Sequence, residues 1–218
     1  NEPVREEGYV TQFLGKDAVT RIMEHDPKTP LFLYLAFTAP HAPYQAPKEY
    51  LDRYKDIADP TRRAYAAMIT CMDDEIGKVL GALEKKKMRD NTLIVFLSDN
   101  GGNVNPMFSG DVDVCKLKLP ADNGPYRGGK GTLYEGGTRV AALANWPGHI
   151  QPGDINQMIH VVDMFPTLAS LAGVKPHKGK PLDGLNVWDS ISVGKPSPRH
   201  EVVYKIEPFR GGVREDDW

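Results

Sequence analysis

The run Thr92-Leu93-Ile94-Val95-Phe96-Leu97 breaks off into Ser98-Asp99-Asn100-Gly101-Gly102, and this junction constrains the fold more than any other segment. Six apolar or β-branched residues without alternation read as a strand covered on both faces, the habit of a parallel sheet. In open α/β sheets, ligands collect at the carboxyl ends of strands. Asp99 and Asn100 stand at such an end, and each offers oxygen of the kind a hard cation such as Ca²⁺ takes. The two glycines that follow let the backbone turn without a Cβ clash. Asp-Asn-Gly is also good turn chemistry, and two side chains cannot fill a shell of roughly 6 to 8 oxygens. On the residues alone both readings stand.

The flanking segments supply the rest of an α/β pattern. Val10 to His25 repeats apolar residues at helical spacing and is closed by Asp26-Pro27. Leu31 to Phe37 is a short apolar run expected to be a second buried strand, entering the proline-stiffened loop Thr38-Ala39-Pro40-His41-Ala42-Pro43. Asp59-Pro60 marks the start of the longest helix, with Asp59 as N-cap and Pro60 in the first turn. Its expected buried stripe is Ala64, Ala67, Met68, Cys71, Met72, Ile76, Val79, Leu80 and Leu83. Strand, helix, strand is the order of a βαβ unit. Arg139 to Asn145 reads as a third strand, Asp163 to Ala172 as a helix capped by Asp163, and Glu201 to Ile206 as a further strand. Residues Asn103 to Gly129 hold turn formers without periodicity, and loops of that length are usually functional or mobile. No repeat and no clear second domain are visible.

Length and charge exclude several classes. A chain of 218 residues can build one sizeable core or a large part of a bigger domain. A net charge of −2 argues against a general nucleic-acid binder, so any anion site must be built locally. No segment approaches the ~20 apolar residues of a membrane span. Cys71 and Cys115, far apart, form neither a zinc pattern nor a disulfide framework. Cys71 falls on the apolar stripe of the long helix and reads as a buried free thiol.

Two further groups suit anion chemistry. His41, between Pro40 and Pro43, is an imidazole on a stiff loop after an apolar run. Lys130, in Arg127-Gly128-Gly129-Lys130-Gly131-Thr132, is a compact cation among glycines that let a backbone approach an anion. The spacing is not that of a Walker A loop. Taken singly, the first reads as a loop histidine bonded to a nearby backbone carbonyl and the second as a solvated lysine in a glycine-rich turn. In Tyr134-Glu135-Gly136-Gly137-Thr138-Arg139, Glu135 reads as a loop brace and Arg139 as the partner of a nearby carboxylate.

Together the stretches Ala39-Pro40-His41-Ala42-Pro43, Phe96 to Gly102 and Gly129 to Gly137 resemble the sulfatase family, the formylglycine-dependent sulfate ester hydrolases of the alkaline phosphatase superfamily. Gly179 to Trp188 and Gly194 to Arg199 are similar to the arylsulfatase B (N-acetylgalactosamine-4-sulfatase) branch. The resemblance implies an α/β, alkaline-phosphatase-like fold, a mostly parallel sheet flanked by helices, incomplete at both ends. It implies Asp99 and Asn100 as Ca²⁺ ligands, and His41 and Lys130 as catalytic and substrate-binding groups at the sulfate or the bridging ester oxygen. It implies a sulfated small molecule or glycan as substrate, no nucleic-acid partner, and a periplasmic, secreted or lysosomal setting.

The chain departs from the family in what is missing. The family nucleophile is a cysteine in a Cys-x-Pro-x-Arg motif, converted to formylglycine. Cys71 is followed by Met72-Asp73-Asp74 and Cys115 by Lys116-Leu117-Lys118. The early Asp-Asp pair and the early Lys and His of the sulfate pocket have no counterpart either. The expectation is therefore that residues 1 to 218 form a partial catalytic domain, inactive alone, with the nucleophile half before Asn1 and a further strand after Trp218. Two rivals remain open at this stage: a phosphomonoester or phosphonate ester hydrolase of the same superfamily, and a non-catalytic binding protein on the same scaffold.

Overall fold

The computed structural model describes residues 5–108, 118–174 and 179–216. Its elements in chain order are α1 (Val10–Glu24), α2 (Lys48–Leu51), α3 (Pro60–Lys85), β1 (Ile94–Leu97), α4 (Glu135–Thr138), β2 (Ala142–Asn145), α5 (Met164–Leu171), α6 (Trp188–Val193), β3 (Glu201–Glu207) and β4 (Arg210–Glu215). They fall into two compact units that interleave along the chain. The first comprises residues 1–92, 100–130 and 134–139; the second comprises 93–99, 131–133 and 140–218. Because each unit is assembled from three separated segments, no break in composition announces either.

The first unit is built on α3. Asp59 caps it as expected, its Oδ1 accepting from the backbone N–H groups of Thr61 at 2.9 Å and Arg62 at 3.0 Å. Such a cap satisfies donors that the first helical turn leaves without partners. Helix α1 packs on α3 through Thr11, Gly15, Ala18 and Ile22. Full burial of a side chain the size of Ile22 contributes about 1.5–3 kcal/mol. The expected apolar stripe on α3 holds at Ala64, Ala67, Met68, Cys71 and Leu83, while Met72, Ile76, Val79 and Leu80 are only half-buried. Their place is shared by Glu75, which is buried and pairs with Lys78 at 2.5 Å. Cys71 lies with Tyr50 and Ala67 in a core that Tyr9, Ala46, Leu51 and Tyr54 surround.

The second unit carries the strands. β1 pairs antiparallel with β2, from Ile94 opposite Asn145 to Leu97 opposite Ala142. β3 and β4 form an antiparallel hairpin, with Val203 opposite Val213 and Tyr204 opposite Gly212. The α/β class stands, but every strand pair among the described residues is antiparallel rather than parallel. Burial along β1 alternates, with Val95 and Leu97 more exposed than Ile94 and Phe96, so the strand is not covered on both faces as its composition suggested. Leu31 to Phe37 is not a strand: no ladder partner pairs with it among the described residues, and Phe32 and Tyr34 are largely exposed. An apolar run reports a tendency to be buried, not the presence of a neighbour to bond with.

Asp163 does serve the cap at this helix start, from the third position of a capping box and not from the N-cap itself. The N-cap residue is His160, whose Nδ1 accepts from the Val162 N–H at 3.2 Å. Asp163 is fully buried one turn in and accepts from the backbone N–H groups of His160 and Leu185, both at 2.8 Å. No described helix is long and apolar enough to cross a membrane.

Candidate active site

The first unit brings His41 and Lys130 together from 89 positions apart along the chain. The loop after Thr38 turns back on itself, the His41 N–H donating to the Thr38 carbonyl at 2.9 Å. His41 Nδ1 lies 2.7 Å from the Ala42 carbonyl oxygen. A carbonyl can only accept, so Nδ1 carries the proton of the neutral ring and Nε2 is left as an acceptor. Lys130 Nζ stands 3.0 Å from that Nε2. An ammonium only donates, so both contacts select the same tautomer. The ring is thereby oriented by backbone on one side and by a cation on the other.

Lys130 is aimed by its own backbone. Its N–H donates to the Gly102 carbonyl at 3.1 Å, and Nζ lies 5.8 Å from the centroid of the Phe108 ring. Gly102 closes the Asp99-Asn100-Gly101-Gly102 motif, so the lysine loop is bonded directly to the turn that follows β1. A second set of bonds ties that turn to α4. The Gly101 N–H donates to the Gly137 carbonyl at 3.0 Å, and the Gly136 N–H to the Arg127 carbonyl at 2.9 Å. A Cβ on Gly101 would run into the Gly136 carbonyl, and one on Gly136 into the carbonyls of Gly128 and Arg127. Three backbone segments thus approach as closely as glycine permits.

One residue of this assembly escaped the sequence reading. Asn123 accepts from the Gly102 N–H through Oδ1 at 2.8 Å, and its Nδ2 donates to the carbonyls of Gly102 at 3.1 Å and Gly128 at 2.9 Å. It belongs to the stretch that looked like unstructured loop. The only local signal was its place among turn formers, Asp122-Asn123-Gly124-Pro125. Arg62 of α3 anchors the same stretch by donating to the Pro120 carbonyl. Around the lysine, the Arg127 guanidinium lies 4.0 Å from the Tyr134 ring centroid and that of Arg139 5.0 Å from Tyr126. Arg139 also faces Glu135 at 3.4 Å, the carboxylate pairing expected of it.

The acid and amide at the end of β1 are placed by different units. Asn100 belongs to the first, and its Nδ2 donates to the Gly101 carbonyl at 2.9 Å, which orients the amide. Asp99 belongs to the second and is exposed at the end of the strand segment. Their oxygens suit a hard cation in kind. They do not suffice in number, since no group of three or more His, Cys, Asp or Glu able to hold a metal occurs among the described residues. Cys71 is fully buried, and burial pushes its thiol above the ordinary range. A reactive cysteine needs the opposite setting, partly exposed with a stabilised thiolate. Cys115 lies outside the described residues.

Comparison with known proteins agrees along almost the whole chain. The family model described as Sulfatase matches residues 2–174. The chain is 36% identical to arylsulfatase J of Mus musculus over 211 residues, 96% of this chain and 33% of that protein. It is 34% identical to N-acetylgalactosamine-6-sulfatase of Homo sapiens over 200 residues, 91% of this chain and 35% of that protein. It therefore spans about a third of the length of the curated relatives it matches. Among solved structures, Ps i-CgsB in complex with k-i-k-neocarrahexaose superposes with a TM-score of 0.83 at 34% identity, covering 100% of this chain and 47% of that one. PsFucS1 sulfatase from Pseudoalteromonas sp. gives 0.80 at 26% identity, covering 99% of this chain and 43% of that one. These neighbours have the alkaline-phosphatase-like fold, of which the two units are a part.

Proposed function

Since the chain belongs to the sulfatase family, we propose that it contributes part of the active site of a sulfuric ester hydrolase. The observation that carries this reading is the 3.0 Å approach of Lys130 Nζ to His41 Nε2. A sulfate monoester holds negative charge on its outer oxygens and develops more on the bridging oxygen as the alcohol departs. An ammonium beside an imidazole answers both needs, one by charge and one by proton donation. Lys130 has three N–H donors, of which His41 takes one, leaving the ammonium chemistry to oppose the oxygens of the ester. His41, held through Nδ1 by the Ala42 carbonyl, presents Nε2 as an acceptor of a Lys130 N–H, so the proton that reaches the leaving oxygen starts on the Lys130 ammonium and passes to the oxygen directly or by way of Nε2, leaving the lysine as the neutral amine.

Asp99 and Asn100 would hold Ca²⁺ in this reading, together with oxygens from elsewhere in a longer protein. When bound, the cation supplies positive charge against the sulfate oxygens. The formylglycine nucleophile would likewise come from outside residues 1–218, because neither Cys71 nor Cys115 stands in a Cys-x-Pro-x-Arg setting. We read the chain as the later part of a catalytic domain that cannot turn over sulfate esters by itself. Relatives named N-acetylgalactosamine-6-sulfatase and a neighbour solved with a neocarrahexaose support a sulfated glycan as the substrate class. The arylsulfatase B-like branch rests on residues 179–199 alone. A secreted, periplasmic or lysosomal setting follows the same resemblance.

The test uses the full-length protein that contains this chain. Hydrolysis of an aryl sulfate that fails with His41→Ala and with Lys130→Ala supports the reading. Hydrolysis of an aryl phosphate in preference to the sulfate would transfer the site to the phosphoester branch of the superfamily.

A further inference from the structure

We propose that Asn123 is a positioning residue for Lys130, holding the lysine loop in register with the turn that follows Asp99-Asn100; this rests on the sulfate-ester reading of Lys130. A single side-chain amide makes three hydrogen bonds here. Oδ1 accepts from Gly102 N–H at 2.8 Å, and Nδ2 donates to Gly102 O at 3.1 Å and Gly128 O at 2.9 Å. The Gly102 carbonyl uses its second lone pair on the Lys130 N–H at 3.1 Å. The bonds form a closed circuit: Asn123 to Gly128, along the chain to Lys130, back to Gly102, and again to Asn123. Gly129 lies so close to Gly102, Val104 and Asn123 that a Cβ would not fit, and the amide adds a bond at Gly128. Backbone hydrogen bonds hold the loop at Arg127, whose carbonyl accepts from the Gly136 N–H at 2.9 Å, and at Lys130 through its own N–H. The Asn123 bond to the Gly128 carbonyl adds a side-chain hold between those two and sets the direction from which Nζ reaches His41 Nε2.

No other side chain type in this place does the same. Aspartate keeps the acceptor for Gly102 N–H and sets a carboxylate oxygen against the carbonyls of Gly102 and Gly128. Alanine removes all three bonds. Asn123→Asp therefore separates the positioning function from the anchoring of Gly102, and Asn123→Ala removes both.

The experiment is a double-mutant cycle on the full-length protein, reading kcat/KM for an aryl sulfate together with thermal unfolding. Asn123→Asp and Asn123→Ala in the wild-type background are expected to lower kcat/KM by roughly ten- to a hundredfold, the scale of a misplacement of about 1 Å. In the Lys130→Ala background the same changes are expected to cost less than about twofold, because there is no ammonium left to misplace. Full additivity of the two losses overturns the proposal, as does wild-type activity in both Asn123 variants. Failure of both variants to fold also overturns it, by making Asn123 a general determinant of folding. Wild-type activity in Lys130→Ala itself would overturn the sulfate-ester reading first, and is distinguishable because the cycle then has no Lys130 arm.

Discussion

Arg199 grips both carboxylate oxygens of Asp163, Nε to Oδ2 at 2.7 Å and Nη2 to Oδ1 at 2.6 Å, from 36 positions further along the chain. The same guanidinium donates to the carbonyls of Asp183 at 2.8 Å and Glu201 at 3.0 Å. Asp163 has no exposed surface, and its two remaining bonds come from the N–H groups of His160 and Leu185. The second unit is therefore pinned at one buried, fully bonded charge pair joining the start of α5 to the segments around residues 185 and 199. Removing one partner leaves the other charge buried and unanswered.

Arg199→Ala is expected to destabilise the protein by about 3 kcal/mol or more, the lower end of what breaking a buried pair costs. Replacing both partners, Asp163→Leu with Arg199→Met, is expected to cost less than the single change. Chemical denaturation of the full-length proteins measures both.

The pair has a pH signature. Burial works to raise the Asp163 carboxyl, but the Arg199 guanidinium and the N–H groups of Leu185 and His160 outweigh it and hold it below the ordinary carboxylate range. A carboxyl depressed in the folded state stabilises fully above its unfolded value, about 3.9. That contribution drains away as pH falls from there through the lower folded value. The stability gap between wild type and Asp163→Asn is expected to be flat from pH 5 upward and to narrow below about pH 4. A gap that widened on acidification would contradict this.

Much of this was legible in the residues, and the boundary is physical. The long helix was readable because its signals are local: Asp59 caps within three residues, and the 3.6-residue period of α3 repeats over seven turns. The glycine-flanked Lys130 and the proline-flanked His41 were readable as stiff or open loops. Their meeting across the fold was suggested only by family resemblance. Direction of strand pairing was not readable in Ile94 to Leu97, since an apolar run is the same beside a parallel or an antiparallel neighbour. Asp163 sat where a cap belongs, and the guanidinium that claims it is too distant in sequence to be inferred. Asn123 was hidden for the same reason, its partners Gly102 and Gly128 contributing only backbone atoms.

The close approach of three backbones at the site predicts a sharp contrast among glycines. Gly101→Ala or Gly136→Ala sets a methyl against carbonyls that cannot swing aside, costing about 1–3 kcal/mol or more and most of the activity. Gly77→Ala and Gly81→Ala on α3 meet nothing within 4 Å and are expected to add up to ~1 kcal/mol each by helix propensity. Thermal unfolding of the four variants, with activity read alongside, decides it; equal effects at all four positions would rule out the packing described here.

Cys71 is expected to resist alkylation in the native protein at pH 8 and to react once denaturant is added, because its thiol is buried and shifted upward by that burial. Peptide mapping after iodoacetamide treatment reads it directly. Rapid native labelling of Cys71 would mean that the α3 core around Tyr50 and Ala67 opens far more readily than its packing implies.

Steady-state hydrolysis of an aryl sulfate by the full-length protein, compared among wild type, His41→Ala and Lys130→Ala, bears most directly on the pairing of imidazole and ammonium at 3.0 Å. Each variant is expected to lose at least about a hundredfold in kcat, the lower range for removal of a positioned proton donor or charge, with folding intact by circular dichroism. Two correctly folded variants that hydrolyse the ester within twofold of the wild-type rate would show that these residues meet without serving the reaction.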